Sequence, residues 1–334
     1  MVQQASLPAP AWGGPRTGPP APQGQRIAIV AEDLRNGGIL GVIDGLLEAS
    51  KVVGWTAKVI DCNGSPAGRT QALIDAMAYQ PDGLVLVGTD AKQLNPGLAT
   101  FARQRIPIVG WHVAARPGPV TGTPVAINVS TDPERVAQIT AMTAVVQSGG
   151  QAGVVVFTDS NFEVARAKTS AIVEALQACR ACTVLEVRDV PISRAAVQVP
   201  PVVQELLQRY GARWTHALAI NDIYFDYATP ALTLGRAGGA PVSLVSAGDG
   251  SESALQRIRN GVFQTATVAE PLALQGWQLI DEMNRLLAGQ APTGYVFPVH
   301  LVTSANIDQD GGPQLRFDPD NGYRGMFRRL WGRP

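Results

Sequence analysis

The stretch that decides the fold is residues 26–61, RIAIVAEDLRNGGILGVIDGLLEASKVVGWTAKVID. Its first six residues, RIAIVA, form a short apolar run with β-branched side chains, which is typical of a buried strand. The next apolar residues repeat at the spacing of one helix face: Ile39, Val42, Ile43, Leu46 and Leu47. Gly54 marks the end of that helix, and TAKVID over residues 56–61 predicts the next strand. The stretch therefore predicts one strand–helix–strand unit.

The same alternation continues along the chain. Strand signals follow at residues 83–88 and 107–111, with helices over 71–79 and 96–105. A second series comes after the Pro/Gly-rich residues 113–125, with strands at 126–129, 153–157, 183–187, 214–220, 243–247 and 265–269. A helix over 272–287 then precedes a last apolar run, 295–302. Two such series predict an α/β fold of two similar lobes, each a parallel sheet flanked by helices. A single barrel of eight strand–helix units is the competing fold.

The composition argues against two classes of protein, those that bind nucleic acid and those that span a membrane. The chain has 27 basic and 27 acidic residues, so it lacks the positive surplus that a nucleic-acid-binding protein needs. No apolar run reaches the roughly 20 residues of a membrane span. Residues 1–25 are rich in Pro and Gly and predict an extended leader or linker without a core. They lack the pattern of a signal peptide, so we expect either no export or a signal absent from this sequence.

Cysteine usage is low. Cys179 and Cys182 form a C-x-x-C pair, and Cys62 is the third cysteine. The pair is either two small residues where a helix ends or a local disulfide formed in an oxidising compartment.

Polar residues follow nearly every predicted strand. In parallel sheets ligands bind at the carboxyl ends of the strands, so these residues are candidate contacts. They are Glu32, Asp33, Asp61, Thr89, Asp90, Trp111, His112, Asp159, Asp189, Asn221, Asp222, Asp249 and Glu270. Some of them are the usual first residues of loops and caps of helices, Asp61 and Asp90 especially. Many acceptors and few cations favour a ligand rich in hydroxyl donors.

Several enzyme classes lack their motifs. The sequence has no G-x-G-x-x-G after the first strand, no Walker A sequence and no G-x-S-x-G. Its histidines are His112, His216 and His300, and the last two fall in apolar strands, where a structural role is expected. An acid/base sugar enzyme, an isomerase or hydrolase that uses Glu32, Asp249 and Glu270, remains the rival hypothesis.

The order of motifs over residues 26–305 resembles the type I periplasmic sugar-binding proteins, the ribose-binding group above all. FEVARAKTSAIVEAL resembles the helix with a sugar-binding arginine and places it at Arg166. ALAINDIYFDYATPAL resembles the segment with the ligand asparagine, here Asn221. SLVSAGDG places the ligand aspartate at Asp249, and TATVAEPL places Glu270 where the family offers a glutamine.

The sequence also departs from the family pattern. Gly38 and Ile39 stand where the family stacks two aromatic rings on the sugar, and His112-Val113 replaces Asp-Arg. The expected ligand-binding residues are Glu32, Asn36, Trp111, His112, Phe162, Arg166, Asn221, Asp249 and Glu270. We expect a net acidic pocket, with Glu32, Asp249 and Glu270 set against Arg166, and therefore a neutral or cationic ligand.

The resemblance implies the solute-binding protein of a bacterial ABC importer rather than an enzyme, with two lobes that close on a sugar, polyol or similar small molecule. It implies a monomer that works with a membrane permease, in the periplasm or tethered outside the cytoplasm, without cofactor or metal. An effector-sensing domain of a signalling system is the other alternative. A sugar-responsive repressor is disfavoured, since the leader cannot fold as a helix-turn-helix.

The expected lobes are residues 26–127 with 271–301 and residues 128–270 with 302–334. Three crossovers would join them, near residues 126–130, 266–271 and 299–304. The basic, aromatic C-terminal segment YRGMFRRLWGRP either packs on the second lobe or contacts anionic lipid or a transporter.

Overall fold

The computed structural model describes residues 1–235 and 241–333. The strands are β1 (Arg26–Ala31), β2 (Thr56–Asp61), β3 (Gly83–Val87), β4 (Ile108–Trp111), β5 (Ile127–Val129), β6 (Gly153–Thr158), β7 (Thr183–Asp189), β8 (His216–Ala219), β9 (Ser243–Ser246), β10 (Gln264–Ala269) and β11 (His300–Thr303). The helices are α1 (Val2–Ala5), α2 (Gly37–Val53), α3 (Pro66–Ala78), α4 (Ala91–Arg103), α5 (Pro133–Gln147), α6 (Glu163–Gln177), α7 (Ala195–Tyr210), α8 (Ile223–Leu234), α9 (Glu252–Arg259), α10 (Leu272–Leu287), α11 (Ile307–Asp310) and α12 (Tyr323–Leu330). None of these helices has both the length and the apolar character to cross a membrane.

The strands form two separate sheets. The first has the order β2-β1-β3-β4-β5, with parallel pairing throughout. The second has the order β11-β10-β9-β8-β6-β7 and is parallel except for its edge strand β11, which is antiparallel to β10. Two helix-flanked, mainly parallel sheets confirm the predicted α/β class and exclude the single barrel.

Contacts divide the chain into two compact units, each made of three segments. The β1 unit comprises Ala9–Asp132, Pro271–Pro298 and Asp318–Pro334. The β6 unit comprises Met1–Pro8, Pro133–Glu270 and Val299–Phe317. The chain passes from one unit to the other near residues 132, 270 and 298, close to the expected crossovers, and also near residues 8 and 317.

The C-terminal segment was assigned to the wrong lobe. Residues 318–334 belong to the β1 unit because α12 packs on α10 through aromatic side chains. The Trp331 ring stacks on Trp277 with centroids 5.4 Å apart, and its Nε1 donates to Asp281 Oδ1 at 2.9 Å. The buried Tyr323 and Phe327 complete this contact, so these aromatic side chains are core residues.

The leader is also packed, contrary to the expectation of a segment without a core. Ala5 of α1 is buried in the apolar cluster of the β6 unit. In the β1 unit, the Trp12 ring lies 5.2 Å from that of Phe327. Arg285 and Asn284 on α10 donate to the carbonyl oxygens of Thr17 (2.6 Å) and Pro19 (2.8 Å). Extended Pro-rich backbone presents free carbonyls, and these buried donors pair with them.

Two helices contain internal prolines. α4 begins at Ala91 instead of Pro96, because the Asp90 carboxylate caps it by accepting from the backbone N–H groups of Lys92 (3.0 Å) and Gln93 (3.4 Å). α7 begins at Ala195 and contains Pro200 and Pro201. In both helices an apolar face buried in the core offsets the cost of an internal proline.

The cysteine pair is joined. Cys179 and Cys182 form a local disulfide after the end of α6 and are not merely two small residues at a helix end. Cys62 is a free, buried thiol, and burial together with nearby Glu32 raises its pKa to about 12.

Candidate ligand-binding residues

In the β1 unit the candidate site lies where the strand order reverses, at the carboxyl ends of β1 and β3. Glu32 follows β1 and is buried. Its carboxylate accepts two hydrogen bonds from Arg69 of α3, from Nε at 2.8 Å and from Nη2 at 2.5 Å. This bidentate pair balances the charge that the sequence assigned to the pocket. Arg69 was missed because it lies 37 residues from Glu32 in a helix without a recognisable motif.

Asn36 has a structural contact that the sequence analysis did not assign to it. Its Oδ1 accepts from the Gly38 backbone N–H at 3.0 Å and caps α2. A glycine at residue 54 in the left-handed region (φ 75°) ends the same helix. The cap fixes where the loop after β1 turns into α2, and with it the position of Asn36.

Trp111 and His112 form a stacked pair after β4. Their ring centroids are 3.8 Å apart with an interplanar angle of 9°, and both side chains are buried. Trp111 Nε1 donates to Gln275 Oε1 of α10 at 2.8 Å, which orients the indole. His112 has a positive φ of 53°, a conformation that turns the chain sharply at the strand end.

In the β6 unit the strand order reverses between β6 and β8, and the structure brings two predicted residues together beside this point. Asn221 Nδ2 donates to Asp249 Oδ2 at 2.6 Å, and both side chains are buried. Asn221 Oδ1 accepts from the Ile223 backbone N–H at 2.9 Å, which fixes the amide at the start of α8. Buried Glu270 is connected through the main chain, since its N–H donates to the Asp249 carbonyl at 3.0 Å.

Arg166 lies in the first turn of α6. It is exposed, and its Nη1 donates to the Ser160 carbonyl at 2.5 Å. The cation beside Asp249 is Lys168, two residues further along the same helix. Its Nζ lies 3.9 Å from Asp249 Oδ1, and the two side chains are only 3% and 2% exposed. Phe162 is buried at the start of α6 and packs in the core of the unit.

Asp222 is buried beside the loop that contains Asp249. Its carboxylate accepts four hydrogen bonds, from the backbone N–H groups of Gly250 and Ser251 and from the side chains of Gln264 and Thr267. Burial raises the pKa of Asp222, and the nearby Arg257 opposes that shift. The sequence analysis counted Asp222 among the candidate contacts that follow a strand and did not predict this network, since a carboxylate that bridges a loop to a strand more than forty residues away leaves no local pattern.

The remaining two histidines lie in structural surroundings. His216 is buried in β8, with Nδ1 2.8 Å from Thr215 Oγ1, and burial lowers its pKa. His300 Nε2 lies 2.8 Å from Asp310 Oδ2, and its ring stacks on Phe317.

The sequence matches the family model of the periplasmic binding protein domain over residues 27–291. The chain belongs to this family. Periplasmic binding proteins are binding proteins and not enzymes, and they act outside the cytoplasm. A search of curated proteins gives no significant match.

Solved structures share the fold of this family member. A sugar ABC transporter protein from Yersinia enterocolitica subsp. enterocolitica 8081 has a TM-score of 0.78 and 18% identity, covering 95% of this chain and 98% of that chain. A solute-binding protein from Agrobacterium vitis bound with alpha-D-tagatopyranose has a TM-score of 0.76 and 16% identity, covering 88% and 99%. Another from Agrobacterium vitis, with bound allitol, has a TM-score of 0.72 and 22% identity, covering 86% and 98%.

Proposed function

We propose that this family member is the solute-binding component of an ABC importer and binds a sugar, a polyol or a similar hydroxyl-rich solute. The observation that carries the proposal is the buried hydrogen bond between Asn221 and Asp249 at the carboxyl end of the second sheet. A carboxylate fixed at this edge accepts hydrogen bonds from neighbouring hydroxyl groups of a ligand. Similar folds with bound tagatopyranose and allitol support this class of ligand.

The residues that we propose as ligand contacts are those expected from the sequence. Their positions in the two units support this role to different degrees. Asn221, Asp249 and Glu270 are the stronger candidates in the β6 unit, and Trp111 and His112 in the β1 unit, because they are buried at strand ends. Glu32 is paired with Arg69, so we assign it a smaller share of the pocket charge than the sequence suggested. With Lys168 beside Asp249, this balance favours neutral ligands over cationic ones.

We further propose that the protein works as a monomer in the periplasm, or tethered outside the cytoplasm, where it delivers solute to a membrane permease. The Cys179–Cys182 disulfide supports an oxidising compartment. In protein isolated under thiol-blocking conditions, alkylation after unfolding should modify one cysteine, Cys62. Three modified cysteines would contradict export.

A ligand screen tests the main proposal. Purified protein is heated with a panel of neutral sugars and polyols, and isothermal titration then measures Kd for each compound that raises Tm. A neutral sugar or polyol that raises Tm and is recovered chemically unchanged supports a binding protein. Stabilisation by phosphorylated or carboxylated sugars alone, or conversion of the ligand into product, contradicts it.

A further inference from the structure

Lys168 is a buried cation that connects two neighbouring strand ends. Its Nζ donates to the Ala247 carbonyl at 2.6 Å and to the Ile220 carbonyl at 3.3 Å. Ile220 immediately precedes Asn221 at the end of β8, and Ala247 lies two residues before Asp249 after β9. One ammonium group of α6 therefore fixes the main chain from which both candidate ligand residues project.

Lys168 also compensates the charge of Asp249. The Nζ–Oδ1 distance of 3.9 Å is that of an ion pair, and almost no surface of either side chain reaches water. Burial of one such charge alone is strongly unfavourable, whereas a pair with further hydrogen bonds is tolerated. The other carboxylate oxygen, Oδ2, accepts from Asn221. Neighbours at both oxygens thus set the plane of the carboxylate.

We propose that Lys168 is the positioning residue of the Asp249 carboxylate: it balances the charge of this group and fixes it where it accepts hydroxyl hydrogens from a neutral polyhydroxylated ligand. The proposal rests on the proposed function of the site. Lys168 acts through Asp249 and the main chain beside it, because it pairs with the carboxylate and donates two hydrogen bonds to the carbonyls of Ile220 and Ala247. The charge balance also gives a reason for a neutral ligand, since the partner cation is supplied by the protein itself.

A double-mutant cycle tests this role. Lys168→Met, Asp249→Asn and the double variant are compared with the wild type by titration with D-tagatose and allitol. Each single variant should raise Kd at least tenfold, and the double variant should bind no more weakly than the weaker single variant. Ile172→Ala, a buried change on the same helix, is the matched control. It should lower Tm and leave Kd unchanged, which separates loss of stability from loss of the site.

The same cycle is measured on the ligand-free protein by urea unfolding. Lys168→Met should lower the unfolding midpoint less in the Asp249→Asn background than in the wild type, since the double variant leaves no unpaired charge. Additive changes in Kd or in the midpoint would overturn the proposal. If neither compound binds the wild type, the proposed function fails for these ligands, and the unfolding cycle alone decides the role of Lys168.

Discussion

Asp222 Oδ1 accepts a 2.8 Å hydrogen bond from Gln264 Nε2, which joins the start of α8 to the first residue of β10. The second oxygen of the same carboxylate accepts from Gly250 and Ser251 in the loop that presents Asp249. One buried carboxylate therefore fixes the loop after β9 against its neighbouring elements. Asp222 thus holds the loop of the proposed ligand contact Asp249, although we do not expect Asp222 itself to contact the ligand.

We predict that Asp222→Ala lowers the free energy of unfolding by about 2–4 kcal/mol, because it leaves buried donors without their acceptor. Urea unfolding measures this loss. Asp308→Ala on α11 is the control, since the Asp308 side chain is 93% exposed and its ion-pair partner Arg259 Nε lies 3.9 Å away. That change should cost about 1 kcal/mol or less. Equal losses in the two variants would show that the Asp222 network is not needed for stability.

Asp249→Ala should weaken ligand binding by about a hundredfold or more, since charge-assisted hydrogen bonds contribute about 1.5–3 kcal/mol each. Isothermal titration with the best ligand from the screen gives the change in Kd. Asp308→Ala, an exposed carboxylate after the antiparallel edge strand β11, should leave Kd within about twofold of the wild type. An unchanged Kd for Asp249→Ala would contradict the assignment of Asp249 as a ligand contact.

His216 should make the protein less stable as the pH falls. Burial lowers its pKa in the folded state from the ordinary value of 6.5. Just below pH 6.5 the unfolded chain therefore binds a proton at this side chain more readily than the folded protein does, which favours unfolding. This stability is complete above pH 6.5 and is lost as the pH falls towards the folded-state pKa. Unfolding of wild type and His216→Gln is compared from pH 8 to about pH 5. The variant should show the shallower decline, and parallel curves would contradict the prediction.

Trp331→Ala should lower the free energy of unfolding by about 3–5 kcal/mol, the cost of removing a fully buried aromatic ring. The ring stacks on Trp277 and its Nε1 donates to Asp281. Thermal or urea unfolding measures the effect, with Arg328→Ala on the exposed face of α12 as the control. If Trp331→Ala and Arg328→Ala behave alike, the C-terminal segment is not part of the core.

Local chemistry explains what the sequence predicted well. The glycine at residue 54 sets the predicted end of α2, and the apolar runs set the strands. Parallel strands present their carboxyl ends at one edge, which was enough to bring Asn221 and Asp249 together. These inferences needed only neighbours in the sequence or the general order of a doubly wound sheet.

The partners of those residues were not predictable in the same way. Arg69 and Lys168 sit in helices with ordinary helical patterns, and their buried contacts are fixed only when the sheets and helices pack. The resemblance pointed to Arg166, yet the helix turns Lys168 towards Asp249. The predicted place of the C-terminal segment was wrong for a similar reason, because its partner Trp277 is distant in sequence.

The three-segment construction of the β1 unit has a consequence for the order of folding. Its strands β1–β5 precede all the strands of the β6 unit, whereas α10 and the segment around Trp331 follow β10 and β11 respectively. The β1 unit therefore cannot acquire its full core until both of these later segments have been synthesised, and part of the apolar surface of its strands stays exposed until then. The strands of the β6 unit are made before the core of the β1 unit can be completed.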